Sequence, residues 1–355
     1  MIFYKSEVHL MLKQTTYNQR TKKGDKKERE KKKIRGTVKM ASSKIPMVKL
    51  NSGHGMPVVG MGTAAPFPFM PENTKSAVID AIKIGYRHFD TATLYQSESP
   101  LGEAIAEAVR LGLIGSRAEI FVTSKIWCTD CYPELVLPAL QATLRNLQMD
   151  YLDLYLIHEP ISVKPGPPSL PIKEEEIVSM DLKGVWEAME DCQRRGLTKA
   201  IGVSNFQPKK LEELLLFAKI APAVNQVEIN PVWQQQQLRE FCQEKGIHVT
   251  AFSPLGGQGR ENGNPVMDSK VLKDIANSHG KTIAQVSLRW LYEQGVSFVV
   301  KSFKKERLMQ NLEIFDWELT EEDHLKINSI PQEKRLWEVI ITKEGTVKSI
   351  CFQDM

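Results

Sequence analysis

The chain has 355 residues, 42% of them hydrophobic and 25% charged, which is ample material for a large core. Its formal charge of +4 is unevenly spread: residues 1–40 hold 13 Lys/Arg against 4 Asp/Glu, the remainder stands at −5, and a basic pI is no sign of nucleic-acid binding by the folded part. Five scattered cysteines argue against a disulfide framework and for a reducing compartment, and no apolar run nears the ~20 residues of a membrane span.

Residues 1–40, with KKGDKKEREKKKIRGTVK inside them, are hydrophilic and lack apolar periodicity. They read as a disordered basic extension ahead of a single folded unit, 41–355. A targeting arm is the rival reading, but the segment has no apolar signal core, and its interspersed acids fit a transit peptide poorly. Met40-Ala-Ser-Ser reads as a natural start just before ordered sequence.

From residue 56 short apolar runs alternate with longer amphipathic stretches. The runs are MPVVGMGT (56–63), RHFDTA (87–92), IFVTSKIW (120–127), LDLYLIH (152–158), AIGVSN (200–205), VNQVEIN (224–230), HVTAFSPL (248–255) and SFVVKSF (297–303). Each has the length and β-branched character of a strand buried on both faces. Between them lie helical patterns such as TKSAVIDAIKIG, with Gly85 suited to a C-cap, then SESPLGEAIAEAVRLG, LVLPALQATLRNL, LKGVWEAMEDCQRRG, PKKLEELLLFAKI, QLREFCQEKG, SKVLKDIANSHG and KERLMQNLEIF. Eight strand–helix units predict an α/β fold, a single closed (β/α)8 TIM barrel with its active site at the C-terminal face of the strands.

A doubly wound sheet is the rival, and its fingerprint fails in context. Gly60-Met-Gly62-Thr-Ala-Ala65 comes near G-x-G-x-x-G/A, yet Pro66 and Pro68 follow where the helix would begin. No Tyr has Lys four residues on, so the Tyr-x-x-x-Lys dyad is absent too. Cys128 and Cys131 have C-x-x-C spacing without a companion pair, so no metal site is expected.

Polar residues at the C-terminal ends of barrel strands mark the reactive face. They are Asp90 and then Tyr95; Lys125 and Trp127; His158 and Glu159; Ser204 and Asn205; Gln226 and Glu228; Phe252 and Ser253; Lys301 and Ser302. An ammonium inside an apolar strand needs a carboxylate partner or a depressed pKa, and Asp90 on the neighbouring strand supplies the partner. Lys125 near a phenol is expected to lower the pKa of Tyr95, making it a proton donor near neutral pH, while His158 orients a carbonyl oxygen. A core histidine and a structural Lys–Asp pair explain the same residues one at a time. Four of them on consecutive strands at one end favour a site.

The motifs GMGT, GYRHFDTATLY, TSKIW, DLYLIH, IGVSNF, PAVNQVEINP, TAFSPLG and KSFKKERLMQN, between about residues 44 and 331, resemble the aldo-keto reductases. The resemblance implies an Asp–Tyr–Lys–His tetrad, matched here by Asp90, Tyr95, Lys125 and His158. It also implies NADPH bound across the barrel mouth without a Rossmann fold. Carried over by position, Thr63, Asp90, Ser204, Asn205, Gln226, Phe252, Ser253 and Leu255 would contact the cofactor. Ser204, Asn205 and Gln226 would take its carboxamide, and Phe252, where many members have Tyr, its ring. Lys301, Ser302 and Arg307 would take the 2′-phosphate and Asn311 the adenine. Two cations and a hydroxyl at a strand-to-helix junction suit an anion independently, which favours NADPH over NADH. Trp127, His158 and Glu159 would line the substrate site.

WCTDCYPELVLPAL, ISVKPGPPSLPIKEEEIVSMD and NPVWQQQQLREFC are most similar to the plant branch that holds the deoxymugineic acid synthases, methylecgonone reductases and chalcone reductases. Three positions depart from the family pattern. Glu159 stands where many members have Trp, and two readings are open for it: a preference for a cationic or polyhydroxyl substrate, or plain exposure to solvent. Gln310 stands where Glu often meets adenine, and Val300 replaces a common Pro. The implied function is reduction of a ketone or aldehyde by a cytoplasmic monomer in plant specialised metabolism or nicotianamine-derived metallophore synthesis. Its partners are a small-molecule carbonyl, with no nucleic acid and no membrane. A cofactor-binding regulatory subunit and an alcohol dehydrogenase running oxidatively are the alternatives. Loops 64–73, 128–133, 159–181 and 331–355 are expected to line or lid the pocket, and the last fits no pattern.

Overall fold

The apolar runs fold into the strands they predict, and the strands close on one another. The computed structural model describes residues 45–64, 73–257, 263–334, 337–342 and 347–350; the expected extension 1–40 lies outside them. The barrel strands are β1 (Val59–Gly62), β2 (His88–Asp90), β3 (Phe121–Ile126), β4 (Leu154–Ile157), β5 (Ile201–Ser204), β6 (Val224–Glu228), β7 (His248–Phe252) and β8 (Ser297–Val300). Every neighbouring pair is parallel, and β8 returns to β1 through Phe298 opposite Val59 and Val300 opposite Met61. The order around the barrel is the order in sequence, as expected of a (β/α)8 fold.

The helices follow the strands on the outside: α1 (Thr74–Ile84), α2 (Glu98–Arg110), α3 (Pro133–Leu147), α4 (Leu182–Arg194), α5 (Pro208–Leu215) and α6 (Gln236–Glu244). After β7 the chain makes two helices, α7 (Lys270–His279) and α8 (Ile283–Glu293). After β8 it makes α9 (Lys305–Gln310) and α10 (Glu321–Asn328). Helices α8 and α10 escaped the periodicity reading, although both carry a capping box: Thr282 with Gln285, and Thr320 with Asp323. The pairing of side-chain oxygen and backbone N–H at the first turn fixes where each begins.

Period-two alternation divides each strand between two apolar layers. On β3, Val122 and Ile126 join the core beneath the helices while Phe121 faces the barrel axis. The run MPVVGMGT splits in two. Gly55–Pro57 pairs antiparallel with Met47–Lys49, and only Val59–Gly62 enters the barrel. Leu50 and Met56 from that hairpin pack with Phe121, Leu154, Leu156 and Val224, so it closes the end of the barrel remote from the tetrad.

The glycines that imitate a dinucleotide fingerprint have a steric role here. A Cβ on Gly60 would stand 2.9 Å from the His88 ring and from Val299 Cγ1. His88 needs that room because it spans the axis, with Nδ1 at 3.1 Å from the Pro57 carbonyl and Nε2 at 3.2 Å from Thr123 Oγ1.

The C-terminal stretch, for which the sequence offers no pattern, forms a hairpin of Trp337–Ile341 and Val347–Ile350. Its first strand pairs in parallel with Ile172–Lys173 of the long loop after β4, making a three-stranded sheet beside the barrel mouth. Residues 65–72 and 351–355 of the expected lid lie outside the described residues. Among the described residues no helix is long and apolar enough to cross a membrane.

Packing at Gly60 sets a measurable difference. Gly60→Ala is expected to lower unfolding stability by about 1–3 kcal/mol through overpacking. Gly62→Ala, whose Cβ would meet nothing nearer than the Lys301 N at 4.0 Å, costs well under that. Urea unfolding of the two variants checks it, and equal losses would contradict the crowding at His88.

Candidate active site

Strand register brings the predicted residues together. Asp90 ends β2 opposite Thr123 of β3, so Lys125, two residues further along, lies past it on the same inward face. Lys125 Nζ donates to Asp90 Oδ1 at 2.6 Å and to the Thr91 carbonyl at 3.0 Å, with both side chains buried. The second carboxylate oxygen of Asp90 accepts from Gln226 Nε2 at 2.8 Å. Burial lowers the pKa of Lys125, and the charge and hydrogen bond of Asp90 oppose that shift.

Tyr95 sits in a short helical turn, Thr93–Tyr95, directly after β2. Its hydroxyl lies 3.2 Å from His158 Nε2, and Lys125 Nζ lies 5.1 Å from its ring centroid. Trp127 packs edge-on against His158 with ring centroids 5.1 Å apart. The tetrad is one contiguous cluster drawn from β2, the turn after it, β3 and the end of β4.

The electrostatics correct one expectation. The pKa of Tyr95 is raised well above its ordinary value, first by burial and then by the charges of Asp90 and Glu159. Burial and those two charges outweigh any lowering by Lys125, whose ammonium lies over the ring and is paired with Asp90. Tyr95 is therefore held as a loaded phenol. Burial, seconded by Lys125, drives the pKa of His158 well below its ordinary value, so the imidazole is neutral.

Glu159 corrects a second. It is only 6% exposed, which removes the solvent-exposure reading. Its Oε1 accepts from Asn205 Nδ2 at 3.0 Å, while Oε2 has no partner among the described residues. His158 Nδ1 and Trp127 Nε1 are likewise buried and unpartnered there. Orphaned polar atoms are rare in folded interiors, and several beside one phenol suit a bound polar molecule.

Further round the mouth, Ser204 and Gln226 are buried, and Asn205 holds a left-handed backbone with φ of 64° while also donating to the His158 carbonyl at 3.2 Å. Thr63 is tied to Asp90 through the Asp90 carbonyl at 3.0 Å and joins a hydroxyl chain with Ser97 and Thr91. Nothing in the sequence singles out Ser97, whose role depends on two threonines from different strands. Phe252 ends β7 half-buried, Ser253 turns the chain with φ of 48°, and Leu255 packs on the core.

Lys301 is half-buried, burial lowers its pKa, and no carboxylate pairs with it among the described residues. A cation in that condition fits an anion. Ser302 lies beside it, bonded to the Lys304 backbone; Arg307 is exposed, and Asn311 is buried against Tyr86. Cys128 and Cys131 are buried free thiols whose pKa values burial raises, consistent with inert packing. No described group of three or more His, Cys, Asp or Glu could hold a metal. A cavity of about 320 Å³ at the opposite end is lined by Arg87, Glu119, Asp153 and Lys199. There Asp153 is already paired to Arg117 and Lys199, so the cavity offers no comparable chemistry.

Comparison with known proteins agrees with this geometry. The profile described as "Aldo/keto reductase family" matches residues 58–332. The chain is 61% identical to an NAD(P)H-dependent 6'-deoxychalcone synthase of Glycine max over 279 residues, covering 79% of this chain and 88% of that protein. It is 58% identical to deoxymugineic acid synthase 1 of Oryza sativa subsp. japonica (80% and 89% covered) and 57% identical to NADPH-dependent codeinone reductase 1-4 of Papaver somniferum (83% and 92%). Among solved structures, a Bombyx mori aldo-keto reductase in complex with NADP superposes with a TM-score of 0.76 at 38% identity, covering 82% of this chain and 94% of that one.

The buried ion pair generates a stability prediction. Asp90→Asn removes the carboxylate that compensates Lys125 in the buried barrel axis, at an expected cost of about 3–5 kcal/mol. Thermal and urea unfolding would register it, and a loss below about 1 kcal/mol would mean that Lys125 finds another partner.

Proposed function

The chain belongs to the aldo/keto reductase family, and we propose that it reduces a ketone or aldehyde with Tyr95 as the proton donor. The observation that carries the assignment is the single cluster in which Tyr95, His158, Lys125 and Asp90 meet. The enzyme is an NADPH-dependent oxidoreductase, and the bound nucleotide supplies a hydride to the carbonyl carbon. Lys301, Ser302 and Arg307 would hold its 2′-phosphate and Asn311 its adenine; a half-buried Lys301 with no carboxylate partner among the described residues supports that fit. Thr63, Asp90, Ser204, Asn205, Gln226, Phe252, Ser253 and Leu255 would shape the nicotinamide end, and Trp127, His158 and Glu159 would contact the substrate.

Each residue has a distinct task. Neutral His158 hydrogen-bonds and positions the carbonyl oxygen next to the Tyr95 hydroxyl. Tyr95 Oη passes its proton to that oxygen as negative charge develops there. A raised phenol pKa is compatible with this step, because an alkoxide is a much stronger base than a phenolate. The phenolate left behind faces the Lys125 ammonium, and Asp90 keeps that ammonium charged and in place. Glycine max, Oryza and Papaver relatives named for a deoxychalcone, deoxymugineic acid and codeinone support a substrate from plant specialised metabolism or nicotianamine-derived metallophore synthesis. We read the protein as a cytoplasmic monomer with one folded unit over 41–355; its buried free cysteines suit the reducing compartment in that reading.

Tyr95→Phe is expected to bind NADPH normally while reduction of a reactive aldehyde falls by about 10² or more. Near-normal turnover in that variant would remove Tyr95 from the mechanism. Lys301→Ala is expected to weaken NADPH about tenfold or more and NADH far less, as loss of a charged hydrogen bond to phosphate requires. Titrating cofactor fluorescence checks it; equal losses for both nucleotides would refute the phosphate role.

A further inference from the structure

We propose that Glu159 is the specificity-determining residue of the carbonyl site, a neutral carboxylic acid whose Oε2 hydroxyl donates to an uncharged oxygen of the substrate next to the reacting carbonyl. This inference rests on the reductase reading and deepens it by naming a feature of the substrate.

Geometry comes first. Glu159 follows His158 immediately at the end of β4 and is buried to the same degree. Asn205 anchors Oε1 at 3.0 Å and also grips the His158 carbonyl at 3.2 Å, so the carboxyl is fixed relative to the residue that positions the carbonyl oxygen. Oε2 is buried and has no partner among the described residues. Leu94, Trp127, Cys128, Ile161, Val163 and Ile172 form the apolar cluster around this part of the mouth, with Tyr95 packed on it.

The surroundings decide the protonation state. Lys125 is the cation nearest in effect, and Asp90 already compensates it at 2.6 Å. Tyr95, Cys128 and Cys131 are neutral, Asp130 adds negative charge from the loop after β3, and His158 is a neutral imidazole. Burial accordingly pushes the Glu159 carboxyl well above its usual range, more than Asn205 and Lys125 pull it down. An ionised Glu159 would leave one bare oxygen in an apolar wall. It would also oppose the negative charge that builds on the substrate oxygen beside Tyr95. The neutral acid avoids both penalties and presents an O–H. Its complement is a hydroxyl, ether or carbonyl oxygen, and an ammonium at that place is disfavoured.

Two matched pairs of aldehydes test this with the full-length enzyme and NADPH: lactaldehyde against propanal, which differ by one hydroxyl, and betaine aldehyde against 3,3-dimethylbutanal, which differ by one charge. Wild type is expected to prefer lactaldehyde, and to disfavour the cation, in kcat/KM. Glu159→Ala is expected to lower the lactaldehyde-to-propanal ratio about tenfold, mainly through KM, and Glu159→Gln, which keeps a donor, to hold it within about threefold. The free protein is expected to show a protonated-carboxyl C=O band in the wild-type-minus-Glu159→Gln infrared difference spectrum, flat across pH 6 to 8. A ratio unmoved by Glu159→Ala overturns the proposal, as does a preference for betaine aldehyde that vanishes in Glu159→Gln. A loss of NADPH affinity with unchanged ratios assigns Glu159 to holding Asn205 alone and overturns it too. Wild type silent towards all four aldehydes would instead overturn the reductase reading, while the infrared band would still report on Glu159 itself.

Discussion

The rest of the site depends on one buried ion pair. Lys125 and Asp90 bring opposite charges into the buried axis of the barrel, and neither is tolerable there alone. Their 2.6 Å contact demands that β2 and β3 keep their register, which places the turn carrying Tyr95 over the ammonium. The Gln226 bond to the free oxygen of Asp90 extends the same constraint across the barrel to β6. A one-residue slip in either strand would turn its charged side chain towards the helices.

Much of this was legible in the sequence. All eight strands stand within their predicted runs, because strands buried on both faces leave continuous apolar segments. The tetrad was legible because each member is a polar residue at the end of such a run. Gly60 and Gly62 show how a motif can be misread. Their spacing mimics a nucleotide turn, yet Gly60 exists to admit the His88 ring. The hydroxyl chain of Thr63, Ser97 and Thr91 left no signal, since Ser97, six residues from Thr91, meets Thr63 across 34 positions of sequence.

Two readings failed for a common reason: local sequence does not report how deeply a side chain is buried. Lys125 was expected to acidify Tyr95, but burial of the phenol and the charges of Asp90 and Glu159 raise its pKa instead. For Glu159 plain exposure stood open beside a substrate role, because its type is mostly exposed, and only the fold shows it walled in beside His158. The C-terminal hairpin was hidden for a different reason. Its first strand pairs in parallel with the two-residue strand Ile172–Lys173, a partner too short to announce itself.

Charge neutrality then links the ion pair to the chemistry. The Lys125–Asp90 pair carries no net charge, His158 is neutral, and burial favours a neutral Glu159. A pocket in that state neither repels an incoming carbonyl dipole nor stabilises a free alkoxide in advance of proton transfer. The developing negative charge meets only the Tyr95 proton and, behind it, the field of Lys125. Such an arrangement ties charge development on the oxygen to protonation by one hydroxyl, and that coupling gives the raised pKa of Tyr95 its value: the donor keeps its proton until a stronger base forms beside it.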